Sequence, residues 1–236
     1  MTGRWDLLTD AEVSAEVFAL RPDYRALLVL AEDLVPGPSD DISDKLLTEA
    51  EHRARTALGD APVEEHPHVA QWRAAFRAFG AKPQRTRPSV EALLRRVPQG
   101  LPRIDRLTDA YNAVSVAYAV PLGGEDADRY EGPPRLVRAQ GDEPFDTTAG
   151  GEPVVEHPEP GEVVWRDTAG VTCRRWNWRQ CTRTRLTTAT TRAVFVVDVL
   201  DPVQEAAVTA IGQALAEALL VTSPHARLTT RVLRKR

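Results

Sequence analysis

The amino-acid sequence predicts a single α+β domain in which helices pack on layers of mixed β-sheet. Helical patterns fill roughly residues 44–118, whereas short β-type segments divided by Gly, Pro, Asp and Thr follow Gly132. This separation of helices and strands is typical of α+β chains. The chain has 236 residues, 42% of them hydrophobic, and shows no internal repeat or long linker. We therefore expect residues 1–236 to share one core, to which the acidic stretch 1–66 contributes.

The first two predicted elements are a strand and a helix. Residues 24–35, YRALLVLAEDLV, form an apolar run between Pro22 and the turn-forming sequence PGPSDD. That pattern favours a buried strand. Asp44 then opens DKLLTEAEHRARTALG, which predicts a helix with an Asp N-cap and with Gly59 as its stop.

Three further helices are predicted in the middle of the chain. HPHVAQWRAAFRAFG places apolar side chains at helical spacing and ends at Gly80. A short helix begins at Pro88. A longer one, within LPRIDRLTDAYNAVSVAYAV, continues until Pro121 and the pair Gly123-Gly124 interrupt it.

The second half of the chain predicts most of the sheet. Strands are expected in PRLVRA, EVVWRD, VTCRRW and TRAVFVVDVL, because these short runs are rich in β-branched and aromatic residues. Pro202 opens the last predicted helix, PVQEAAVTAIGQALAEALL. Its apolar stripe is expected to cover one face of the sheet.

Composition predicts a cytoplasmic protein without a membrane partner, since no segment has the roughly 20 apolar residues of a membrane span and the N-terminus lacks signal-peptide features. Cys173 and Cys181 are the only cysteines, which favours two reduced thiols over a disulfide framework. No phosphate loop, GxGxxG, HExxH or GxSxG motif occurs. His66 and His68 flank Pro67 at a predicted helix start, so we expect no metal and no cofactor.

Arginine is clustered, although the net charge is −4. One basic block covers residues 72–106, and a second lies at 174–192 within a stretch, 168–197, that contains no Asp or Glu. The guanidinium group suits bidentate contacts with phosphate and stacking on bases, so the blocks predict RNA contact. The alternative is that these arginines pair with the acidic N-terminal third.

The sequence WNWRQ, residues 176–180, leaves two interpretations open. Alternation along a strand would send Trp176 and Trp178 to one face and form a wall of the core. Alternatively, the tryptophans form a wall for an amino-acid side chain or a base, while Asn177, Arg179 and Gln180 supply polar recognition. The paired glycines 123–124 and 150–151 expose backbone amides that let an acyl or phosphate group approach.

A known family matches these motifs in order. DAYNAVSVAYAVPLGGEDADRYEG, residues 109–132, resembles the VDxxNxxxxxxGxPxHxxDxxKxxG signature of the B3/B4 editing domain in the bacterial phenylalanyl-tRNA synthetase β subunit. RAQGDE, residues 138–143, resembles that domain's RxAxxGE, and the strand ending at Asp167 has a counterpart as well. The resemblance covers roughly residues 72–198.

The resemblance implies a B3/B4-like three-layer sandwich that acts in trans as an aminoacyl-tRNA deacylase, with a synthetase partner possible. Because an aminoacyl ester is already activated, a pocket that orients water suffices. Gly123 stands where the family has a His, and Gln180 where it has the Glu that senses the tyrosine hydroxyl, so tyrosine specificity is not implied. These losses motivate the alternative of a non-catalytic module that binds tRNA or an aminoacyl ligand. The residues implied are Asn112, Gly123 and Gly124 for catalysis; Trp176, Asn177, Trp178, Gln180, Glu143 and Arg138 for the substrate; and Arg85, Arg87, Arg174, Arg179, Arg183 and Arg185 for tRNA.

Overall fold

The computed structural model describes residues 6–235. Its helices are α1 (Ala15–Leu20), α2 (Asp41–Leu58), α3 (Pro67–Ala78), α4 (Ser89–Leu94), α5 (Arg106–Tyr118) and α6 (Glu205–Thr222). Its strands are β1 (Glu12–Val13), β2 (Arg25–Glu32), β3 (Leu122–Asp126), β4 (Arg135–Arg138), β5 (Phe145–Ala149), β6 (Glu152–Glu156), β7 (Val163–Arg166), β8 (Val171–Arg174), β9 (Arg179–Gln180), β10 (Ala193–Val199) and β11 (Arg227–Arg234). The presence of both helices and strands in one fold confirms the predicted α+β class.

The middle layer is an antiparallel four-stranded sheet in the order β11-β2-β10-β3. Every residue of β10 is buried, because both faces of this strand are covered, and its near-continuous apolar sequence follows from that position. On one face, Phe195 and Val197 pack with α5 and α6 in one hydrophobic cluster. The opposite face contributes Val194 and Val196 to a second cluster.

The third layer is a five-stranded sheet in the order β1-β4-β7-β8-β9. Leu136 and Trp165 from this sheet share the second cluster with Leu28 of β2 and Trp72 of α3. Residues of the acidic N-terminal stretch therefore lie in the same core as those that follow. Helices, four-stranded sheet and five-stranded sheet form the three layers of the predicted sandwich.

Several element boundaries differ from prediction. Helix α2 begins at Asp41 rather than Asp44, because Asp40 is the N-cap and accepts a hydrogen bond from the Ser43 amide at 2.9 Å. The segment LGGED forms strand β3 instead of serving only as a helix stop. Strand β11 was not anticipated, because most of its residues are exposed and it lacks an apolar alternation.

Helix α6 is the one described helix long and apolar enough, by length and composition, to cross a membrane, with a mean hydropathy of 1.3. A single such helix is weak evidence, since the core helix of a soluble protein passes the same test. Its buried side chains, including Ile211, Leu215 and Leu219, pack in the cluster that covers the four-stranded sheet. That packing matches the expected role of this helix.

The connection between α5 and β3 positions the site. Helix α5 ends at Ala119, which adopts a left-handed conformation with φ of 51°. Two side chains hold this turn: Ser115 Oγ donates to the Val120 carbonyl at 2.6 Å, and His68 Nδ1 lies 2.9 Å from the Ala119 carbonyl. The chain then returns directly as β3, so the motif residues on α5 and β3 become neighbours.

Candidate functional site

A cavity of about 240 Å³ lies between α4, α5, β3, β10 and the turn before β9. It is slightly smaller than the roughly 300–1,000 Å³ pockets that hold drug-sized ligands, a size suited to one amino-acid residue. The structure brings seven of the residues named from the sequence to its walls. They are Asn112, Gly123, Trp176, Asn177, Trp178, Arg179 and Gln180.

The two glycines of β3 lie on opposite faces of the strand. Side-chain positions alternate along a strand, so Gly123 and Glu125 face the cavity. Gly124 faces the helix layer, where a Cβ would lie only 2.7 Å from Phe195 Cε1. Gly124 therefore contributes backbone groups to the site, whereas the missing side chain of Gly123 leaves room in the cavity wall that the Gln180 amide occupies.

Strand β3 is an edge strand, which leaves alternate peptide groups directed away from β10. The Gly124 carbonyl accepts a hydrogen bond from Gln180 Nε2 at 2.9 Å. Because the N–H and C=O of one strand residue point to the same side, the Gly124 amide is also directed toward Gln180. Gly124 itself is buried, and on this side of β3 Arg185 forms a bridge with Glu125.

The two departures from the family pattern, Gly123 and Gln180, are in contact with each other. A Cβ at position 123 would lie 3.0 Å from Gln180 Nε2, so the Gln180 amide occupies the space beside the glycine. Because Gln180 Nε2 donates to the Gly124 carbonyl, the orientation of the Gln180 side-chain amide is determined. Gln180 Oε1 accepts no hydrogen bond from residues 6–235, and it is free to accept one from a ligand.

Asn112 reaches the cavity from α5. Asp105 is the N-cap of this helix, and its side chain accepts a hydrogen bond from the Thr108 amide at 2.8 Å. Asn112 lies on the face of the helix that lines the cavity. The residue is 6% exposed, yet its amide makes no hydrogen bond to another described residue. A nearly buried amide without a protein partner is suited to hold a ligand or water.

The tryptophan segment is a turn, so the predicted strand through residues 176–178 was wrong. Arg175 and Trp176 have φ of 49° and 67°, and this left-handed pair destroys the alternation on which the prediction depended. Trp176 packs in the core, with its ring centroid 4.9 Å from that of Tyr24. Trp178 lines the cavity and lies beneath the Arg179 guanidinium at 4.8 Å. Trp176 therefore belongs to both the core and the cavity wall, and Trp178 is a partly buried residue of the cavity wall.

Two buried carboxyl groups in the cavity wall were missed by the sequence analysis. Burial raises the pKa of Asp198 to about 7, against hydrogen bonds from Tyr24 and Asn177 that favour its charged form. Burial also raises the pKa of Glu125, which accepts hydrogen bonds from the hydroxyls of Tyr130 and Thr184. The one available signal was a lone Asp inside the apolar strand sequence AVFVVDVL.

Other cavity groups are polar but unreactive. Cys173 lines the cavity, and burial raises the pKa of its thiol well above its usual range, so the sulfur stays protonated and is a poor nucleophile. Both cysteines are free and buried. Ser89 Oγ and Asn177 Oδ1 are buried and have no hydrogen-bond partner among the described residues. The serine hydroxyl can therefore donate to a ligand or accept from it, and the asparagine oxygen can accept.

Glu143 and Arg138, named as substrate-binding residues, do not line the cavity. Glu143 accepts hydrogen bonds from the amides of Gln140 and Gly141, both at 3.0 Å. Arg138 donates to the carbonyl of Gly161. These contacts stabilise loops next to β4. The predicted position of Glu143 and Arg138 in the substrate pocket is therefore not observed, because both residues lie outside the cavity wall.

Three arginines of the acid-free segment pair with acids that lie earlier in the second half of the chain. Arg174 is buried and pairs with Glu162 at 2.8 Å and with Glu156 at 2.9 Å. Arg183 pairs with Asp167 at 2.8 Å, and Arg179 pairs with Glu156 at 2.6 Å. The alternative named the acidic N-terminal third as the partner, and Arg192 fits it by pairing with Glu32 at 3.1 Å. The acids that pair with Arg174, Arg179 and Arg183 instead lie at positions 156–167.

The first basic block does pair in part with the N-terminal acids. The pairs are Arg95 with Glu64, Arg103 with Asp44 and Glu51, and Arg106 with Asp40. Three exposed arginines, Arg85, Arg96 and Arg185, form no ion pair with another described residue, and Arg96 lies at the cavity. Arg87 is half-exposed and 3.7 Å from Glu91.

Comparisons with known proteins identify the domain family of this chain. The profile of the B3/4 domain matches residues 71–212. Among solved structures, an N-terminal fragment of the phenylalanyl-tRNA synthetase beta-subunit from Pyrococcus horikoshii is similar with a TM-score of 0.48 and 11% identity, over 98% of this chain and 57% of that one. No curated protein sequence matches the chain significantly. Because the profile covers more than half of the chain, this protein belongs to the B3/4 domain family.

Proposed function

We propose that this protein is a deacylase that hydrolyses the ester bond of a mischarged aminoacyl-tRNA in trans. The supporting observation is the convergence of Asn112, Gly123 and Gln180 on one cavity. Gln180 comes from a separate part of the sequence from Asn112 and Gly123, and all three correspond to motif positions of the B3/B4 editing domain. The small cavity accommodates an aminoacyl group, while the rest of the RNA stays outside.

The chemistry requires no nucleophilic side chain, because an aminoacyl ester is activated and a hydroxyl of the terminal adenosine is adjacent to it. The ester enters the cavity beside Gly123 and the Gln180 amide. The Gly124 amide is placed to donate to the developing oxyanion, and one such donor typically contributes about 10²–10³ in rate. Asn112 positions the substrate or the attacking water, and Gln180 Oε1 accepts a hydrogen bond from the amino-acid side chain.

Contact with the tRNA is assigned to exposed arginines, of which Arg96 lines the cavity. Arg85, Arg87, Arg96 and Arg185 are available to phosphates. Arg179 and Arg183 are partly exposed but paired, so they serve less well, and buried Arg174 is excluded by its pairs with Glu156 and Glu162. Phosphate contact predicts that binding weakens steeply as salt rises.

The test assays wild type, Asn112→Ala and Gln180→Glu against a panel of correctly charged and mischarged tRNAs. We expect deacylation of at least one species above the rate of spontaneous ester decay. Asn112→Ala should lower it, and Gln180→Glu should change the order of substrates by about tenfold to a hundredfold. The matched control is Gln213→Glu on the exposed face of α6, which should match wild type. Unchanged substrate order in Gln180→Glu together with full activity in Asn112→Ala would place the site elsewhere.

A second candidate is a binding module that has lost hydrolysis. It is favoured by the amide at Gln180 and the glycine at 123, where the family has Glu and His, and by the protonated Cys173 thiol. The same panel separates the two candidates. If no aminoacyl-tRNA is hydrolysed faster than it decays while tRNA still binds, the module is correct.

A further inference from the structure

One end of the cavity combines a buried carboxyl group with a neighbouring acceptor. Asp198 of β10 is 3% exposed and forms no salt bridge with a described residue. Its Oδ1 accepts from the Tyr24 hydroxyl at 2.6 Å, and its Oδ2 from Asn177 Nδ2 at 3.3 Å. The Trp165 indole lies close enough to favour the charged form, although its Nε1 has no hydrogen-bond partner among residues 6–235.

Asn177 completes this arrangement. Its Nδ2 is committed to Asp198, so the amide orientation is fixed and its Oδ1 is a defined acceptor. That oxygen is buried and unpartnered, and the residue is 8% exposed. A buried acceptor beside a buried carboxylate is unfavourable unless a donor, and preferably a cation, satisfies both.

We propose that Asp198 and Asn177 Oδ1 bind the free α-ammonium group of the aminoacyl ester, an inference that rests on the proposed deacylase function. An ammonium group has three N–H donors and no acceptor, which matches two adjacent acceptors. The Asp198 amide donates to the Pro121 carbonyl, so Gly123 lies two residues farther along the sheet, about 6–7 Å. The ester carbonyl beside the ammonium group is then directed toward Gly123 and the Gly124 amide.

The consequence is selectivity for an unblocked amine. An N-acylated aminoacyl ester has no positive charge to neutralise Asp198, and its acyl group adds volume to a cavity of about 240 Å³. The site therefore accepts aminoacyl-tRNA and rejects tRNA esters with a blocked amino group, such as peptidyl esters.

The test uses stable amide analogues that do not depend on hydrolysis. The probes are 3′-aminoacylamino-3′-deoxyadenosines carrying alanine, serine, phenylalanine or tyrosine, each with a free or an N-acetylated amine, and affinity is measured by calorimetry. A charge-assisted hydrogen bond predicts that acetylation weakens binding to wild type by about tenfold to a hundredfold. Asp198→Asn should remove the electrostatic part of this preference and leave only the effect of the added volume, whereas the matched variant Glu125→Gln, farther along β3, should retain all of it.

Two results overturn the inference while leaving the deacylase proposal intact: tRNA deacylation with no effect of acetylation on wild-type binding, or a full preference in Asp198→Asn. The wild-type comparison needs no variant, so poor folding of Asp198→Asn does not obscure the answer. If none of the probes binds and no aminoacyl-tRNA is hydrolysed, the proposed function and this inference are both refuted.

Discussion

Alanine substitutions at the two adjacent glycines of β3 should have opposite consequences. Gly124→Ala directs its new methyl group into the helix layer, and Gly123→Ala directs it into the cavity. Neither glycine has a positive φ, so the backbone itself accepts alanine and only the surroundings differ. The pair therefore separates a packing defect from a change in the site.

The magnitude at position 124 follows from the contacts of the added carbon. It would lie 2.7 Å and 2.9 Å from two ring atoms of Phe195 and 3.0 Å from Leu186 Cδ1. Phe195 is fully buried, so its ring has no free space to move into, and overpacking of this kind typically costs about 1–3 kcal/mol. For a domain of this size, each kcal/mol shifts Tm by about 2–4 °C, which predicts a decrease of about 2–12 °C.

At position 123 the nearest atom is Gln180 Nε2 at 3.0 Å. This atom is the end of a flexible side chain that can move. We expect Gly123→Ala to change the free energy of unfolding by less than about 1 kcal/mol, since the lower entropy of the unfolded chain offsets a small rearrangement. The Gln180 amide should shift, and the order of substrates in the deacylation panel should change.

Thermal unfolding followed by circular dichroism, together with the deacylation panel, measures both effects. Gly124→Ala should be less stable with an unchanged order of substrates, and Gly123→Ala should be stable with a changed order. Equal stabilities of the two variants would show that the faces of β3 are wrongly assigned. An unaltered substrate order in a stable Gly123→Ala would remove Gln180 from the recognition of the side chain.

Three further predictions address charge. Burial raises the pKa of Asp198 to about 7, above the roughly 3.9 of an unfolded aspartate, so the native state binds this proton more tightly and the carboxyl lowers stability increasingly from about pH 4 to 7. The Tm of Asp198→Asn relative to wild type should therefore rise across that range in unfolding scans, and a flat difference would contradict the shift. Arg85→Ala combined with Arg185→Ala should weaken tRNA binding in filter or anisotropy assays and reduce the slope of log K against log salt by about 2; an unchanged slope would exclude both contacts. Arg174→Ala leaves buried Glu162 without its closest partner and should destabilise the protein by about 3 kcal/mol in denaturant unfolding, so wild-type stability would refute the importance of this pair.

The class of fold and most of its elements could be predicted from the amino-acid sequence. Apolar runs predicted β2 and β10, and glycine stops predicted the ends of α2 and α3, because periodicity and capping act within a few residues of chain. The motif order also predicted that Asn112, Gly123 and Gln180 belong to one site. The structure places these three residues at one cavity, in part because a tight turn joins α5 to β3.

The contacts of the site residues could be found only from the tertiary structure. The left-handed turn at Arg175 and Trp176 separated the two tryptophans, and no local pattern predicts such a turn without glycine. Arginines of the acid-free segment pair with acids that lie up to 160 positions away in the chain. The Asp198 carboxylate accepts a hydrogen bond from Tyr24, which lies 174 positions away. Ion pairs and desolvation depend on distance in space, and long-range strand pairing sets that distance.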